Sequence, residues 1–206
     1  MNFSHRPTKI LLTGRSGTGK TTYFLAYLTR APYRKKFVFD GEGEIAHKLG
    51  KRPAQTPEEL LAALPGEWIL YDPARMFPGD TAAGFRFFCD WTFHIGTKLP
   101  GKKLFAADEL QKVTDQYGNC KELALILETG RRYEIDAILI AQQPNLIHNR
   151  TRNQLTEIVS FAQNDARAVQ FLEDMGLAGP SIRNLRPGQF LARNLQNGKE
   201  AAGKVF

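Results

Sequence analysis

Short apolar runs alternate with longer amphipathic segments along most of the chain. Runs such as Lys9–Thr13 (KILLT) and Ile135–Ala141 (IDAILIA) are almost continuously apolar, which predicts strands that are buried on both faces. The strands predicted in this way are Lys9–Thr13, Lys36–Asp40, Trp68–Asp72, Lys103–Ala107, Ile135–Ala141, Glu157–Phe161 and, as the last strand, Gln189–Arg193.

Helical patterns lie between these strands. Thr56 followed by Pro57 is typical of a helix start, and Phe85, Phe88 and Ile95 recur at helical spacing. The predicted helices are Gly19–Thr29, Pro57–Leu64, Thr81–Ile95, Cys120–Arg132 and Asp165–Met175. Together the elements predict an α/β fold with a mostly parallel central sheet and helices on both faces. A length of 206 residues suits a single domain over 1–206.

Composition narrows the class of protein. Hydrophobic residues make up 42% and charged residues 24% of the chain, as in ordinary soluble globular proteins. No apolar run reaches the ~18 residues that a membrane span needs, and the polar residues 1–9 do not look like a signal peptide. Cys89 and Cys120 stand far apart without metal-ligand companions, which predicts two reduced thiols in a cytoplasmic protein.

The net charge of +7 favours polyanionic partners such as nucleic acids. The basic residues are spread along the chain without a long Lys/Arg run. A mildly basic solvated surface therefore explains the charge as well as a nucleic-acid-binding face does.

A glycine-rich segment follows the first predicted strand and opens the first predicted helix. It matches the pattern G-x-x-x-x-G-K-[ST], whose backbone N–H groups surround phosphates. Lys20 is expected at the β- and γ-phosphates, Thr21 at Mg²⁺ and Thr22 at the α-phosphate, with the helix N-terminus favouring the anion. The residues of this predicted nucleotide site are Gly14, Arg15, Ser16, Gly17, Thr18, Gly19, Lys20, Thr21 and Thr22.

Two carboxylates, Asp108 and Glu109, end the strand predicted at Lys103–Ala107. The carboxyl ends of parallel strands meet at one edge of a sheet, where ligands bind. Asp108 is therefore predicted to hold Mg²⁺, through water, and Glu109 to be the general base that orients the attacking water. The structural alternative for Glu109 is an acidic residue that stabilises the N-terminus of a following helix.

Polar residues flank the next strand at both ends. Gln142 follows Ile135–Ala141, and its amide could bond both the γ-phosphate and the attacking water, or satisfy loop backbone. Arg131 and Arg132 close the preceding helix, where cations favour the helix C-terminus. One of the two could instead be an arginine finger that reaches the γ-phosphate of a neighbouring subunit.

The phosphate loop, the Asp108-Glu109 pair and the GRRY–IDAILIAQQP segment together resemble the FtsK–HerA superfamily of DNA-pumping ATPases. Residues 8–195 share this resemblance. In its size the chain is similar to the viral branch, the genome-packaging ATPases of tailless membrane-containing viruses. Gln142 matches the strand-end glutamine that acts as a sensor in the superfamily, whereas Gln143 stands where a basic residue is common.

This resemblance implies a RecA-like core that binds ATP and Mg²⁺ and translocates double-stranded DNA into a capsid. It also implies a homo-oligomeric ring, commonly a hexamer, that contacts capsid-vertex or portal proteins. The expected location is the cytoplasm of the host cell and the packaging vertex of the virion. Lys112 and Tyr117, in the loop after Glu109, could face a ring pore, and the Lys98–Lys103 turn should lie opposite the ATP edge. Both segments could equally be ordinary solvated loops, which is the favoured interpretation for the turn.

Other functions share the phosphate loop. A small-molecule kinase would need an acceptor pocket, whereas Glu109 and Gln142 point to water as the acceptor. A GTPase usually carries an Asn-Lys-x-Asp motif, which this sequence lacks. A cellular or plasmid FtsK/HerA-like DNA-transfer ATPase remains an alternative within the same superfamily.

Overall fold

The computed structural model describes residues 7–114 and 120–206, and these contain eight strands and nine α-helices. The strands are β1 Lys9–Thr13, β2 Lys35–Phe39, β3 Trp68–Tyr71, β4 Lys103–Ala107, β5 Ile135–Ala141, β6 Glu157–Ser160, β7 Gln189–Asn194 and β8 Glu200–Lys204. The helices are α1 Lys20–Arg30, α2 Glu44–Leu49, α3 Pro57–Ala63, α4 Thr81–Gly96, α5 Leu110–Val113, α6 Lys121–Thr129, α7 Asn149–Arg152, α8 Ala166–Asp174 and α9 Gly179–Arg183.

All eight strands form one sheet in the order β3-β2-β4-β5-β1-β6-β7-β8. The first six strands in this order are parallel, while β7 and β8 add an antiparallel hairpin at one side. The predicted fold class, a mostly parallel α/β sheet, is confirmed. The segments that follow β1, β2, β4, β5 and β6 lie together at the carboxyl edge of this sheet.

Consecutive strand residues belong to two separate hydrophobic cores. On β1, Leu11 packs into one core, whereas Ile10 and Leu12 pack into the other. The first core also contains buried residues of α4, α6 and α8, and the second contains buried residues of α1 and α2. This arrangement places helices on both faces of the sheet, and it explains why the parallel strands read as continuous apolar runs.

The structure differs from the sequence prediction in its final strands and its shortest helices. Gln189–Asn194 is not the last strand, because β8 follows it, and the EAAGK sequence of β8 is mostly exposed and carries no apolar pattern. The helices α2, α5, α7 and α9 have four to six residues, which is too short for helical periodicity to show.

The helix predicted over Cys120–Arg132 also ends earlier. The α-helix α6 stops at Thr129 and a 3-10 turn, Gly130–Tyr133, continues it into β5. Gly130 lies against β5, where an added Cβ would approach the Ile135 carbonyl oxygen to 3.1 Å. The tighter turn, followed by Glu134 at φ 55°, lets the chain reverse into the strand within a few residues.

The described residues contain no helix that is long and apolar enough to cross a bilayer. Cys89 and Cys120 are both free thiols, as the sequence predicted.

Candidate functional site

The glycine-rich loop connects β1 to α1 at the carboxyl edge of the sheet. Gly14, Gly17 and Gly19 have φ values of 145°, 75° and 109°, which are strained for residues with side chains. A Cβ on Gly14 would lie 2.6 Å from the Cβ of Phe161. The backbone conformation therefore favours glycine at all three positions, and the close approach of Phe161 is a second requirement at Gly14 and Gly19.

Hydrogen bonds within the loop fix its shape. The Thr18 hydroxyl and the Lys20 ammonium both donate to the carbonyl oxygen of Arg15, at 2.7 and 2.9 Å. The Arg15 N–H donates to the Ala162 carbonyl, and the Gly188 N–H donates to the Thr18 carbonyl, each at 2.9 Å. The loop is thus anchored to the segments after β6 and before β7, and it holds the Lys20 side chain inside its curve.

Lys20 is buried, with 6% of its surface exposed. Burial lowers the pKa of its ammonium, while the negative charges of Asp108 and Glu109 raise it. The lysine therefore faces these carboxylates without an ion pair to either among the described residues. A cation in this state gains electrostatic stabilisation from a bound anion.

A cavity of about 460 Å³ opens at the loop. The loop residues that line it are Ser16, Gly17, Gly19, Lys20, Thr21 and Thr22. Asp108, Glu109 and Gln142 line the same cavity, so three separate predictions converge on one place. Gly14, Arg15 and Thr18 do not line the cavity. Arg15 and Thr18 instead make the hydrogen bonds that fix the conformation of the loop.

Asp108 follows β4 directly. Burial raises the pKa of its carboxyl to about 6, a shift that the Glu109 N–H, donating to Asp108 Oδ1 at 2.7 Å, partly offsets. The Thr21 hydroxyl and this carboxylate are both oxygen donors, the type that Mg²⁺ prefers. Because a divalent cation would offset the desolvation of Asp108, the two residues fit a magnesium site.

Glu109 has a left-handed backbone, with φ 51°, which is rare for a residue with a side chain. Its Oε1 accepts a hydrogen bond from Gln142 Nε2 and its Oε2 accepts one from Gln111 Nε2, both at 2.5 Å. The Lys112 ammonium lies 3.7 Å from Oε2. The carboxylate is therefore oriented by polar neighbours at the wall of the cavity and does not cap the short helix α5 with a side-chain hydrogen bond.

Gln142 reaches Glu109 because of the strand order. The strand that precedes it, β5, lies between β4 and β1, so Gln142 stands between the carboxylates and the glycine-rich loop. Its carbonyl accepts a hydrogen bond from Gln163 Nε2 at 2.7 Å. An amide in this position is able to contact both a bound phosphate and a water beside Glu109.

Arg131 and Arg132 lie away from this cavity. Their 3-10 turn precedes β5, whereas the cavity is at the end of β5, and seven strand residues span roughly 20 Å. The turn leads directly into the start of β5, where Ala137 pairs with Lys9 at the start of β1, so both arginines lie at the amino edge. Both arginines are exposed and cannot reach the nucleotide site of their own chain.

Solved structures with this architecture cover nearly the whole chain. The genome packaging NTPase B204 from Sulfolobus turreted icosahedral virus 2, in complex with AMPPCP, matches with a TM-score of 0.70 and 15% sequence identity over 99% of both chains. The DNA-packaging ATPase B204 from Sulfolobus turreted icosahedral virus matches with a TM-score of 0.67 and 16% identity, over 97% of this chain and 98% of that one.

The chain has the fold of a genome-packaging NTPase. VirB4 of Thermoanaerobacter pseudethanolicus is also similar, with a TM-score of 0.68 and 11% identity over 100% of this chain and 92% of that one. No protein-family profile and no curated protein matches the sequence. Since one fold hosts many activities, the residues of the site and not the fold determine the chemistry.

Several residues at the site were absent from the sequence prediction. Asp40 and Glu42 follow β2 and Gln163 follows β6, so the strand-end rule that identified Asp108 and Gln142 could have found them. Asp40 is buried and accepts hydrogen bonds from the N–H groups of Ile45 and Ala46, which fixes α2 beside the cavity. Phe206 lines the cavity with 62% of its surface exposed, and no pattern in the sequence indicated it.

The loop after Glu109 and the Lys98–Lys103 turn lie at opposite edges of the sheet. Lys112 lines the cavity and pairs with Glu42, so it is engaged at the site. Tyr117 lies outside the described residues. The Lys98–Lys103 turn connects α4 to the start of β4, which places it at the amino edge, opposite the cavity, as predicted.

Proposed function

We propose that this protein is an ATPase of the FtsK–HerA superfamily, a single domain over 1–206, that hydrolyses Mg-ATP to translocate double-stranded DNA. The observation that carries the proposal is the convergence of Lys20, Asp108, Glu109 and Gln142 on one cavity. The similarity to two structures described as genome-packaging enzymes supports packaging of a viral genome as the task.

Binding of the triphosphate would use the loop and the start of α1. The backbone N–H groups of the loop and the N-terminus of α1 offer donors to the phosphate oxygens. Lys20 would exchange its bond to the Arg15 carbonyl for the β- and γ-phosphates, and Thr22 would contact the α-phosphate. When bound through Thr21 and Asp108, Mg²⁺ would neutralise charge on the β- and γ-phosphates.

Hydrolysis requires a water aligned with the γ-phosphorus. Glu109 would accept the proton of this water through Oε1, the oxygen that it shares with Gln142. The Gln142 amide would shift its hydrogen bond from Glu109 to the γ-phosphate when ATP binds. This exchange frees Oε1 for the water, so the base becomes available only when the triphosphate is present.

A second copy of the chain would complete the site. Arg131 and Arg132 are exposed at the amino edge, roughly 20 Å from the site of their own chain. We assign one of them as an arginine finger for a neighbouring subunit, in a homo-oligomeric ring with a hexamer favoured. Such a ring would surround double-stranded DNA and act with capsid-vertex or portal proteins, in the host cytoplasm and at the packaging vertex.

The proposal is tested by Mg-ATP hydrolysis with and without double-stranded DNA, over a range of protein concentrations, with Lys20→Ala as the inactive control. Specific turnover that rises with both DNA and protein concentration is expected. Turnover that is proportional to protein and indifferent to DNA would retain the ATPase and remove the motor. Transfer of the γ-phosphate to a nucleoside without DNA would favour a kinase instead.

A further inference from the structure

Gln111 contacts both of the residues that the hydrolytic step uses. Its Nε2 donates to Glu109 Oε2 at 2.5 Å, and its Oε1 accepts from the main-chain N–H of Gln142 at 3.2 Å. The amide therefore closes a ring of hydrogen bonds with Glu109 and Gln142, in which the third side is the bond from Gln142 Nε2 to Glu109 Oε1. Both functional groups of the Gln111 amide are used inside this ring.

Gln111 does not line the cavity, although Glu109, Lys112, Val113 and Gln142 do. It is half-buried behind Glu109, on the short helix α5. A nucleotide in the cavity would therefore contact Glu109 and Gln142 but not Gln111. Any influence of Gln111 on the reaction has to act through these two neighbours.

We propose that Gln111 is a positioning residue for the general base, an inference that rests on the proposed catalytic role of Glu109. The last torsion of a glutamate side chain has broad, roughly two-fold preferences, so the rotamer alone does not decide how the carboxylate is turned. The bond from Gln111 fixes the position of Oε2, which also lies 3.7 Å from the Lys112 ammonium. The plane of the carboxylate is thereby fixed, with Oε1 bonded to Gln142, a residue that lines the cavity.

The Gln111 amide also connects the Glu109 carboxylate to the end of β5. Gln111 holds the N–H of Gln142, and Gln163, which is buried with 3% exposure, holds the carbonyl of Gln142. The main chain of Gln142 is thus fixed from two sides. The distance between Glu109 and Gln142 is fixed by this arrangement, because both residues are bonded to the rigid amide of Gln111.

The test is a substitution that keeps the length of the side chain and removes both hydrogen bonds. Gln111→Met should lower kcat about tenfold to a hundredfold, because misplacement of a catalytic group by about 1 Å has an effect of this size. KM and the affinity for ATP should stay unchanged, since Gln111 does not touch the cavity. Gln143→Met is the matched control, because the Gln143 side chain is exposed and makes no hydrogen bond among the described residues.

A second background separates positioning from a structural role. In Glu109→Gln protein, Gln111→Met should cause a much smaller loss in the single-turnover rate, because the effect through the carboxylate is already gone and only the bond to the Gln142 main chain remains to be lost. An equal loss in both backgrounds would assign Gln111 a structural role and overturn the inference. Gln111→Glu should be at least as impaired as Gln111→Met, since it cannot donate to Glu109 and adds a like charge beside it.

The possible failures are distinguishable. Wild-type protein without Mg-ATP hydrolysis would overturn the proposed function and this inference together. Wild-type turnover with a kcat for Gln111→Met equal to that of Gln143→Met would overturn the inference alone. Thermal unfolding and ATP binding of each variant show whether it is folded, and the Gln111→Glu variant provides the same comparison if the methionine variant is unstable.

Discussion

Lys35 and Lys20, which are buried at opposite edges of the parallel sheet, differ in how many hydrogen bonds they make to the protein. At the amino edge, Lys35 donates to the carbonyl oxygens of Leu64, Pro65 and Gly66, at 2.5, 3.2 and 2.5 Å. At the carboxyl edge, Lys20 faces a cavity and, within the described part of the chain, donates only to the carbonyl of Arg15. Burial of a lysine is therefore not by itself a sign of binding.

What distinguishes Lys20 is that it lines a cavity while its ammonium has a single hydrogen-bond partner among the described residues. Lys36 pairs with Glu67, Lys103 donates to the Leu99 carbonyl and Lys9 donates to Gln154 Oε1. The other buried lysines at the amino edge therefore also have partners within the fold. The carboxyl edge instead combines positive-φ glycines, the left-handed Glu109 and the desolvated Asp108. Strain and desolvation of this kind persist where a ligand is expected to offset them.

The largest expected effect is that of Glu109→Gln, which tests the role of Glu109 separately from that of Asp108. Glu109→Gln should reduce ATP turnover about 10²- to 10⁴-fold, because loss of a general base has effects of this size. ATP binding should persist, since the amide keeps the size of the side chain. Steady-state turnover and nucleotide binding by fluorescence measure the two quantities, and near-normal turnover would remove Glu109 from the role of base.

Lys20→Ala tests directly whether the Lys20 ammonium contributes to ATP turnover. Turnover should fall about 10²- to 10³-fold, as expected when a preorganised cationic group is lost from the transferring phosphate. The midpoint of thermal unfolding without nucleotide should change little, because the ammonium makes one hydrogen bond to the protein. A fully active variant would refute the assignment of the site.

Lys35→Met should have the opposite profile. The free energy of unfolding should fall by about 2 kcal/mol, because hydrogen bonds from a charged donor are lost, while turnover of the folded protein stays normal. Denaturant unfolding and ATP hydrolysis report the two effects. Lys98→Met is the matched control, since Lys98 is exposed with no ion pair among the described residues, and equal stability of the two variants would contradict the structural role of Lys35.

The smallest expected effect concerns pH. Because the pKa of the Asp108 carboxyl is raised to about 6, this group is mostly ionised at pH 7 and mostly protonated at pH 5. Mg²⁺ binds the carboxylate form, so the apparent affinity for Mg²⁺ should fall roughly tenfold between these pH values. Titration of turnover with Mg²⁺ at each pH measures this, and Asp108→Asn should remove the pH dependence along with most of the affinity.

The sequence predicted the parts of the site that a motif or a strand end marks. The glycine pattern identified Lys20, and the apolar strands before Asp108 and Gln142 placed both at one edge of the sheet. Gln111 could not be predicted in the same way, because its role depends on hydrogen bonds across two strands. The β8 strand was missed because its exposed EAAGK sequence is held by pairing with β7 and not by burial.

A mixing experiment tests most directly whether the amino edge of one subunit completes the carboxyl edge of the next. Lys20→Ala protein keeps its arginines, and the double variant Arg131→Ala, Arg132→Ala keeps its nucleotide site. Each protein alone should hydrolyse ATP poorly, and their mixture should recover turnover as mixed oligomers form. If the mixture stays inactive although both variants assemble with each other, a shared site between subunits is contradicted.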